Sequence, residues 1–212
     1  MNGANGAVAF YDDSQSHHTL APQGTAQIST AQSKFGGSSG LLDGNSDYVT
    51  SADYMVATGN INNPMTVHCF VYRTTLQYAY FMIQRTPAQA LAGDFYIYMC
   101  PTTGKLEFGR FTGTSTNIKY AISTLAIAIN AWHHMVVQWN SNGSITFGID
   151  GTAENIAQST TTSNVKSGAF SLGAEPAPNY FYKGYIDDLK INDGIERYPR
   201  TGAYTVPTRS LI

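Results

Sequence analysis

The residues best suited to chemistry are tyrosines spaced two apart. Tyr78 and Tyr80 form one such pair, and Tyr96 and Tyr98 form another. On a β-strand, residues two apart share a face, so each pair presents two aromatic rings to one side. Rings displayed this way are stacking surfaces with a polar hydroxyl at the tip. Such surfaces suit sugar rings, whose C–H faces stack while their hydroxyls hydrogen-bond to nearby amides and carboxylates. Tyr72 and Trp139 are further aromatics of the same kind. Other constellations fall short. Glu107, Glu154, Glu175 and Glu196 are the only glutamates, and each stands alone. The paired histidines His17-His18 and His133-His134 lack partners at metal-ligand spacing. If 132–140 is a strand, His133 and His134 point to opposite faces and cannot share one ion. There is no Gly-x-Ser-x-Gly elbow and no phosphate-binding glycine loop.

These side chains must be positioned by strands. The 212 residues are 42% hydrophobic, enough for a core, but only 12% charged, about half the roughly 25% usual for soluble domains. Ser, Thr, Asn and 20 Gly take the place of charge, with 14 Tyr and 10 Phe, a composition of turns and strands. A net charge of −2 without a basic block excludes electrostatic capture of nucleic acid or of an anionic membrane. No apolar run approaches membrane-spanning length, so no membrane insertion is expected, and the first residues show no secretory signal pattern.

In chain order, residues 7–11 (AVAFY) read as an edge strand and 12–37 as a loop. Asp43-Gly44-Asn45 is a turn across which the flanking runs can pair. Residues 65–72 (MTVHCFVY) alternate, with Met65, Val67, Cys69 and Val71 on one face. Runs at 78–84, 95–100, 106–110 and 118–123 follow, while 125–130 fits either a helical turn or a loop. Residues 132–140 and 144–150 form the clearest hairpin, joined through Asn142-Gly143. Trp132 opens it, and Trp132→Ala is expected to cost roughly 3–5 kcal/mol if that ring is core. After a short strand at 170–173, residues 185–192 read as a last strand with one wet side, closed by Asn192-Asp193-Gly194. Twelve to fourteen short strands without a convincing helix indicate a sandwich. Cys69 and Cys100 fit buried free thiols, or a disulfide if their strands are neighbours.

Three motifs carry a family resemblance. They are Phe35-Gly36 through Leu41-Leu42, Asp43-Gly44 and Tyr48-Val49; Trp132-His133-His134 with its hairpin; and Gly184-Tyr185-Ile186-Asp187-Asp188-Leu189, followed by Arg197-Tyr198 and Val206-Pro207-Thr208. In order and spacing the chain resembles laminin G-like, concanavalin A-like lectin domains. The resemblance implies an all-β jelly-roll sandwich of two antiparallel sheets, with residues 1–212 as one domain. Residues 1–37 would be its N-terminal strand and loop, and 193–212 a C-terminal tail packed on the sandwich. Enzymes on this scaffold carry a Glu-x-Asp-x-x-Glu run on one strand, which is missing here, so a non-enzymatic module is expected. The tail resembles versions of the domain in bacteriophage virion proteins. That likeness implies a virion location, with other virion proteins or a surface glycan as partners and oligomers open. A secreted or cell-surface carbohydrate-binding lectin is the alternative. Relatives also imply a structural Ca²⁺ tying the first strand to the last, for which the matching positions are Asp187, Gly44, and Asp12 or Asp13.

Overall fold

The computed structural model describes residues 3–52, 63–85, 94–111, 118–157, 169–175 and 179–210. They form two antiparallel sheets. With strands numbered in chain order, the first sheet runs β1 (Ala21–Gln23), β4 (Tyr48–Ser51), β13 (Ala169–Leu172), β6 (Ala79–Arg85), β7 (Phe95–Met99), β8 (Lys105–Phe111) and β9 (Ile118–Ala126). The second runs β15 (Gly202–Ala203), β12 (Thr152–Ile156), β11 (Ile145–Ile149), β10 (Trp132–Trp139), β5 (Met65–Arg73), β14 (Lys183–Asp193), β3 (Ser39–Asp43) and β2 (Gln27–Ser29). The expected all-β jelly-roll sandwich is what the chain forms.

Alternation sets the core. Met65, Val67, Cys69 and Val71 of β5 meet Met135, Val137 and Trp139 of β10 and, across the sandwich, Phe81, Ile97, Leu106 and Phe108. The Asn142-Gly143 hairpin closes as read: Asn140 N–H donates to Ser144 O at 2.9 Å, and Gly143 takes φ 81°. Arg110, buried by the core, lies over the Trp139 ring at 4.5 Å. Burial lowers its guanidinium to about 10.

Several expectations change. Residues 7–11 are not a strand: only Gly6 and Ala7 bond Ile28, at 2.8 and 2.7 Å, too few links to extend a ladder. The stretch 12–37 is more than a loop, because it contributes β1 and β2. Pro22 is tolerated in β1 because that strand is an edge. The runs around Asp43-Gly44-Asn45 do not pair. β3 and β4 lie in different sheets, and the turn carries the chain between them. Asp47 fixes this crossing from a buried position, accepting from Thr25 N–H at 2.6 Å and Asp43 N–H at 3.0 Å. Residues 125–130 are neither helix nor plain loop. β9 runs through Ala126, and Ile129 then bridges to Arg73. Both cysteines are free, and they lie on opposite sheets.

Trp132 is also not core. It is half-buried on the outer face of the second sheet, edge-on to Tyr72 at 5.7 Å. Trp132→Ala should therefore cost only about 1–2 kcal/mol, the scale of an aromatic pair plus partial burial. Phe147→Ala, at a ring 0% exposed in the core, should cost about 3–5 kcal/mol. Urea midpoints of the two variants check the order, and equal losses would show that Trp132 is core after all.

Candidate functional site

The tyrosine pairs do meet. In the first sheet Tyr80 pairs across the ladder with Tyr98, and Ile83 with Tyr96. On the other side Tyr98 pairs with Glu107, and Tyr96 with Gly109. Period two therefore gathers Tyr80, Tyr96, Tyr98 and Glu107 on the outer face. Tyr96 is the foundation. It packs with Ile83 and Phe111, and its ring lies across Gly109 so closely that a Cβ there would sit 1.9 Å from Tyr96 Cζ. Its hydroxyl donates to Glu107 Oε1 at 2.7 Å. Burial, reinforced by that carboxylate, holds the phenol far above its ordinary range.

Above this base Tyr98 is ringed by others. Its centroid lies 5.2 Å from Tyr80 and 5.9 Å from Tyr78. Tyr180, absent from the sequence reading, completes the cluster at 5.9 Å from both Tyr78 and Tyr80. Its backbone carbonyl accepts from Tyr80 N–H at 2.9 Å, which ties the segment before β14 to this face. Tyr180 and Tyr78 are the exposed members, at 44% and 56%, and Tyr80 and Tyr98 are half-buried between them. Burial raises the hydroxyls of Tyr80 and Tyr98 further above their ordinary range. Arg85 and Glu175 form an ion pair at 3.3 Å beside the cluster. Lys105, two residues before Glu107, shares its face. The only hint of Tyr180 in the sequence is the aromatic run Tyr180-Phe181-Tyr182 at the entry to the last strand.

Asp187, Gly44 and Asp12 do not converge. Gly44 follows Asp43, which pairs with Lys183, so Asp187 lies four residues further along β14, about 13 Å away. Asp187 is 2% exposed, and its carboxylate accepts backbone N–H from Lys34 and Phe35 at 2.9 Å each and from Asp188 at 2.9 Å. Asp12 caps its own loop, accepting from Ser14 N–H at 2.9 Å and His18 N–H at 2.8 Å. Asp13 makes no described link to either. No group of three or more His, Cys, Asp or Glu side chains that could hold a metal occurs among the described residues. Asp187 thus works as a buried acceptor for backbone. Asp187→Asn, which keeps one carbonyl oxygen, should cost about 2–4 kcal/mol, the scale of charge-assisted hydrogen bonds. Thermal melts should show that loss equally in calcium and in chelator. A wild-type melt that rises with calcium, and a variant melt that does not, would restore the ion.

The outer face of the second sheet, expected to be wet, is mostly covered. The C-terminal tail lies over it. Gln138, itself 0% exposed, accepts from Arg197 N–H at 2.8 Å and Tyr198 N–H at 3.0 Å, and donates to Tyr198 O at 3.1 Å. Glu196 accepts from Ser141 N–H at 2.7 Å and pairs with Arg200 at 3.1 Å. Under the tail, His68 and His134 lie 5.8 Å apart. Tyr198 Oη is 3.1 Å from His68 Nδ1, and Tyr204 Oη is 3.0 Å from His134 Nδ1. Burial lowers both imidazoles to about 4. As alternation requires, His133 faces the other way and meets Asp150 at 2.6 Å. At the uncovered end Trp132, Tyr72 and Tyr185 form a half-buried row.

The fold and these faces define a lectin-type sandwich, and the chain belongs to the concanavalin A-like lectin/glucanases superfamily, whose Laminin_G_3 family model matches residues 43–195. No curated protein matches the sequence. Among solved structures the chain is similar to domain 4 of AbnA, a GH43 extracellular arabinanase from Geobacillus stearothermophilus, in complex with arabinotriose. That match has TM-score 0.59 and 19% identity over 84% of this chain and 82% of that one. It is also similar to the botulinum neurotoxin serotype G binding domain (TM-score 0.64, 11% identity, 89% of this chain and 46% of that one). A third likeness is to the binding domain of Paraclostridial Mosquitocidal Protein 1 (TM-score 0.57, 13% identity, 87% and 45%). The chain thus spans under half the length of either toxin domain. At these identities the likeness is one of fold.

Proposed function

We propose that this chain is a non-enzymatic carbohydrate-binding module whose site is the tyrosine cluster of the first sheet, formed by Tyr78, Tyr80, Tyr98 and Tyr180 on a base of Tyr96. The single observation that carries this is the convergence of four partly exposed rings on one face, with the Glu107 carboxylate beside Tyr98 across the ladder. Aromatic faces supply stacking, and carboxylate, lysine and phenol groups supply hydrogen bonds to hydroxyls. The structural neighbours, one bound to arabinotriose and others described as binding domains, support a binding rather than a catalytic role. Glu107 is engaged by Tyr96 and Glu175 by Arg85, an arrangement of structural carboxylates rather than of an acid and nucleophile pair.

The setting we favour is a bacteriophage virion, where many copies would convert weak single contacts into adhesion. The low charge and the Arg197-Tyr198 tail motif support it, and a secreted or cell-surface lectin is the second setting. A glycan array tests the site. Wild type should bind at least one glycan class, with affinity falling about tenfold or more in Tyr98→Ala and in Tyr180→Ala. Absence of binding across the array, or binding indifferent to both substitutions, would refute the proposal.

A further inference from the structure

The ring angles say what shape of ligand the cluster admits. A flat polysaccharide surface is gripped by aromatic rings lying in one plane, each stacking on successive units. Here no such plane exists. Tyr98 is inclined by 66° to Tyr80 and by 38° to Tyr78. Tyr180 stands at 63° to Tyr78 and 66° to Tyr80. With centroids 5.2–5.9 Å apart, the rings touch one another, three pairs edge to face and Tyr78–Tyr98 tilted. The four make a shallow, packed cup, with Tyr78 and Tyr180 exposed at its rim and Tyr80 and Tyr98 half-buried beneath them. Because the rings fill the space between them, a sugar can rest only on the exposed surface of Tyr78 and Tyr180, whose centroids lie 5.9 Å apart, so there is room for one sugar ring and not for a row of them.

Charge narrows the class further. The charged groups on this face among the described residues are Lys105, Glu107, Arg85 and Glu175, two of each sign, and the last two neutralise each other at 3.3 Å. Glu107 adjoins Tyr98 directly across the ladder and spends one oxygen on Tyr96. The face offers an acceptor for hydroxyl groups and no surplus of positive charge for an anionic sugar.

Resting on the carbohydrate-binding reading above, we propose that the cup takes a single uncharged sugar ring at the end of a glycan chain and does not grip extended or crystalline polysaccharide. The test uses the whole chain and its Tyr180→Ala variant, which should fold with only a modestly lowered melting point, because Tyr180 is 44% exposed and its ring packs on Tyr78 and Tyr80. The probes are neutral, uronate-ended and sulfated glycans on an array. The strongest of these is then titrated as a series from monosaccharide to hexasaccharide, alongside retention on microcrystalline cellulose. The expected result is a neutral end-sugar whose affinity changes less than about threefold along the series, weakens about tenfold or more in Tyr180→Ala, and shows no cellulose retention. Affinity that climbs about tenfold with length, retention on cellulose, or preference for acidic ends, each abolished in Tyr180→Ala, would overturn the end-sugar inference and leave the site standing. Binding insensitive to Tyr180→Ala, or no binding at all, would overturn both.

Discussion

Taking the protein from about pH 6.5 to pH 4 should remove about 3 kcal/mol of stability for a buried histidine protonated beneath the tail. His68 and His134 titrate at about 4 in the folded chain, against an ordinary 6.5. In both, burial is the leading cause. For His68 the neighbouring His134, Arg197 and Lys190 add to the depression, and Asp188 opposes it. For His134, Asp150 and Asp188 oppose and Lys34 adds. Because the unfolded chain takes up protons first, stability is full above 6.5 and declines as pH falls toward 4. The carboxylates whose hydrogen bonds outweigh burial and hold them low, Asp12, Asp43 and Glu196, begin to lose their contribution only as pH falls through the ordinary carboxylate values of about 4, so the histidine window lies mostly above theirs. The first part to loosen should be the tail, since Tyr198 and Tyr204 close over the two rings. Urea midpoints across this window, with limited proteolysis after Arg197 and Arg200, measure it. His134→Gln should flatten the slope. A wild-type midpoint that does not move between 6.5 and 4.5 would contradict it.

Gly109→Ala should be the most damaging single methyl on the first sheet. The added Cβ would lie 1.9 Å from Tyr96 Cζ and 2.2 Å from its hydroxyl, so the ring must leave its seat. Overpacking of this kind costs about 1–3 kcal/mol. Displacing Tyr96 also frees Glu107 and removes the support beneath Tyr80 and Tyr98, so carbohydrate affinity should fall at least about tenfold along with stability. Gly148→Ala is the matched control. Its methyl would press on Tyr204 and Val136 at 3.0 Å, on the opposite face, and should weaken the tail without touching the cup. Equal loss of affinity in both variants would show that Tyr96 has no special role.

Strand alternation made much of this legible in advance. β5 and the β10–β11 hairpin follow from their periodicity and from Asn142-Gly143, and Tyr96 and Tyr98 share a face because two-residue spacing on a strand requires it, whereas Tyr78 lies just before β6 and joins the cluster from off the strand. What escaped has physical reasons. Asp43-Gly44-Asn45 has the same turn chemistry whether its flanks pair or part, and only Asp47, reaching back to Thr25, decides that they part. Tyr180 lies off the strands, where no period places it. Asp187 resembled a metal ligand because sequence shows a carboxylate but not the three N–H groups that fill it. The wet side expected of the last strand is only partly wet, with Asp187 buried and Lys190 half-buried, because the tail folds back over His68 and His134, a contact between segments some 60 residues or more apart.

The central claim, that sugar binds the tyrosine cup, is tested most directly by a crystal structure with the best array ligand soaked in. Density for a sugar ring should lie against the exposed rings of Tyr78 and Tyr180. A ring bound instead along Trp132, Tyr72 and Tyr185, on the far side of the sandwich, would contradict it.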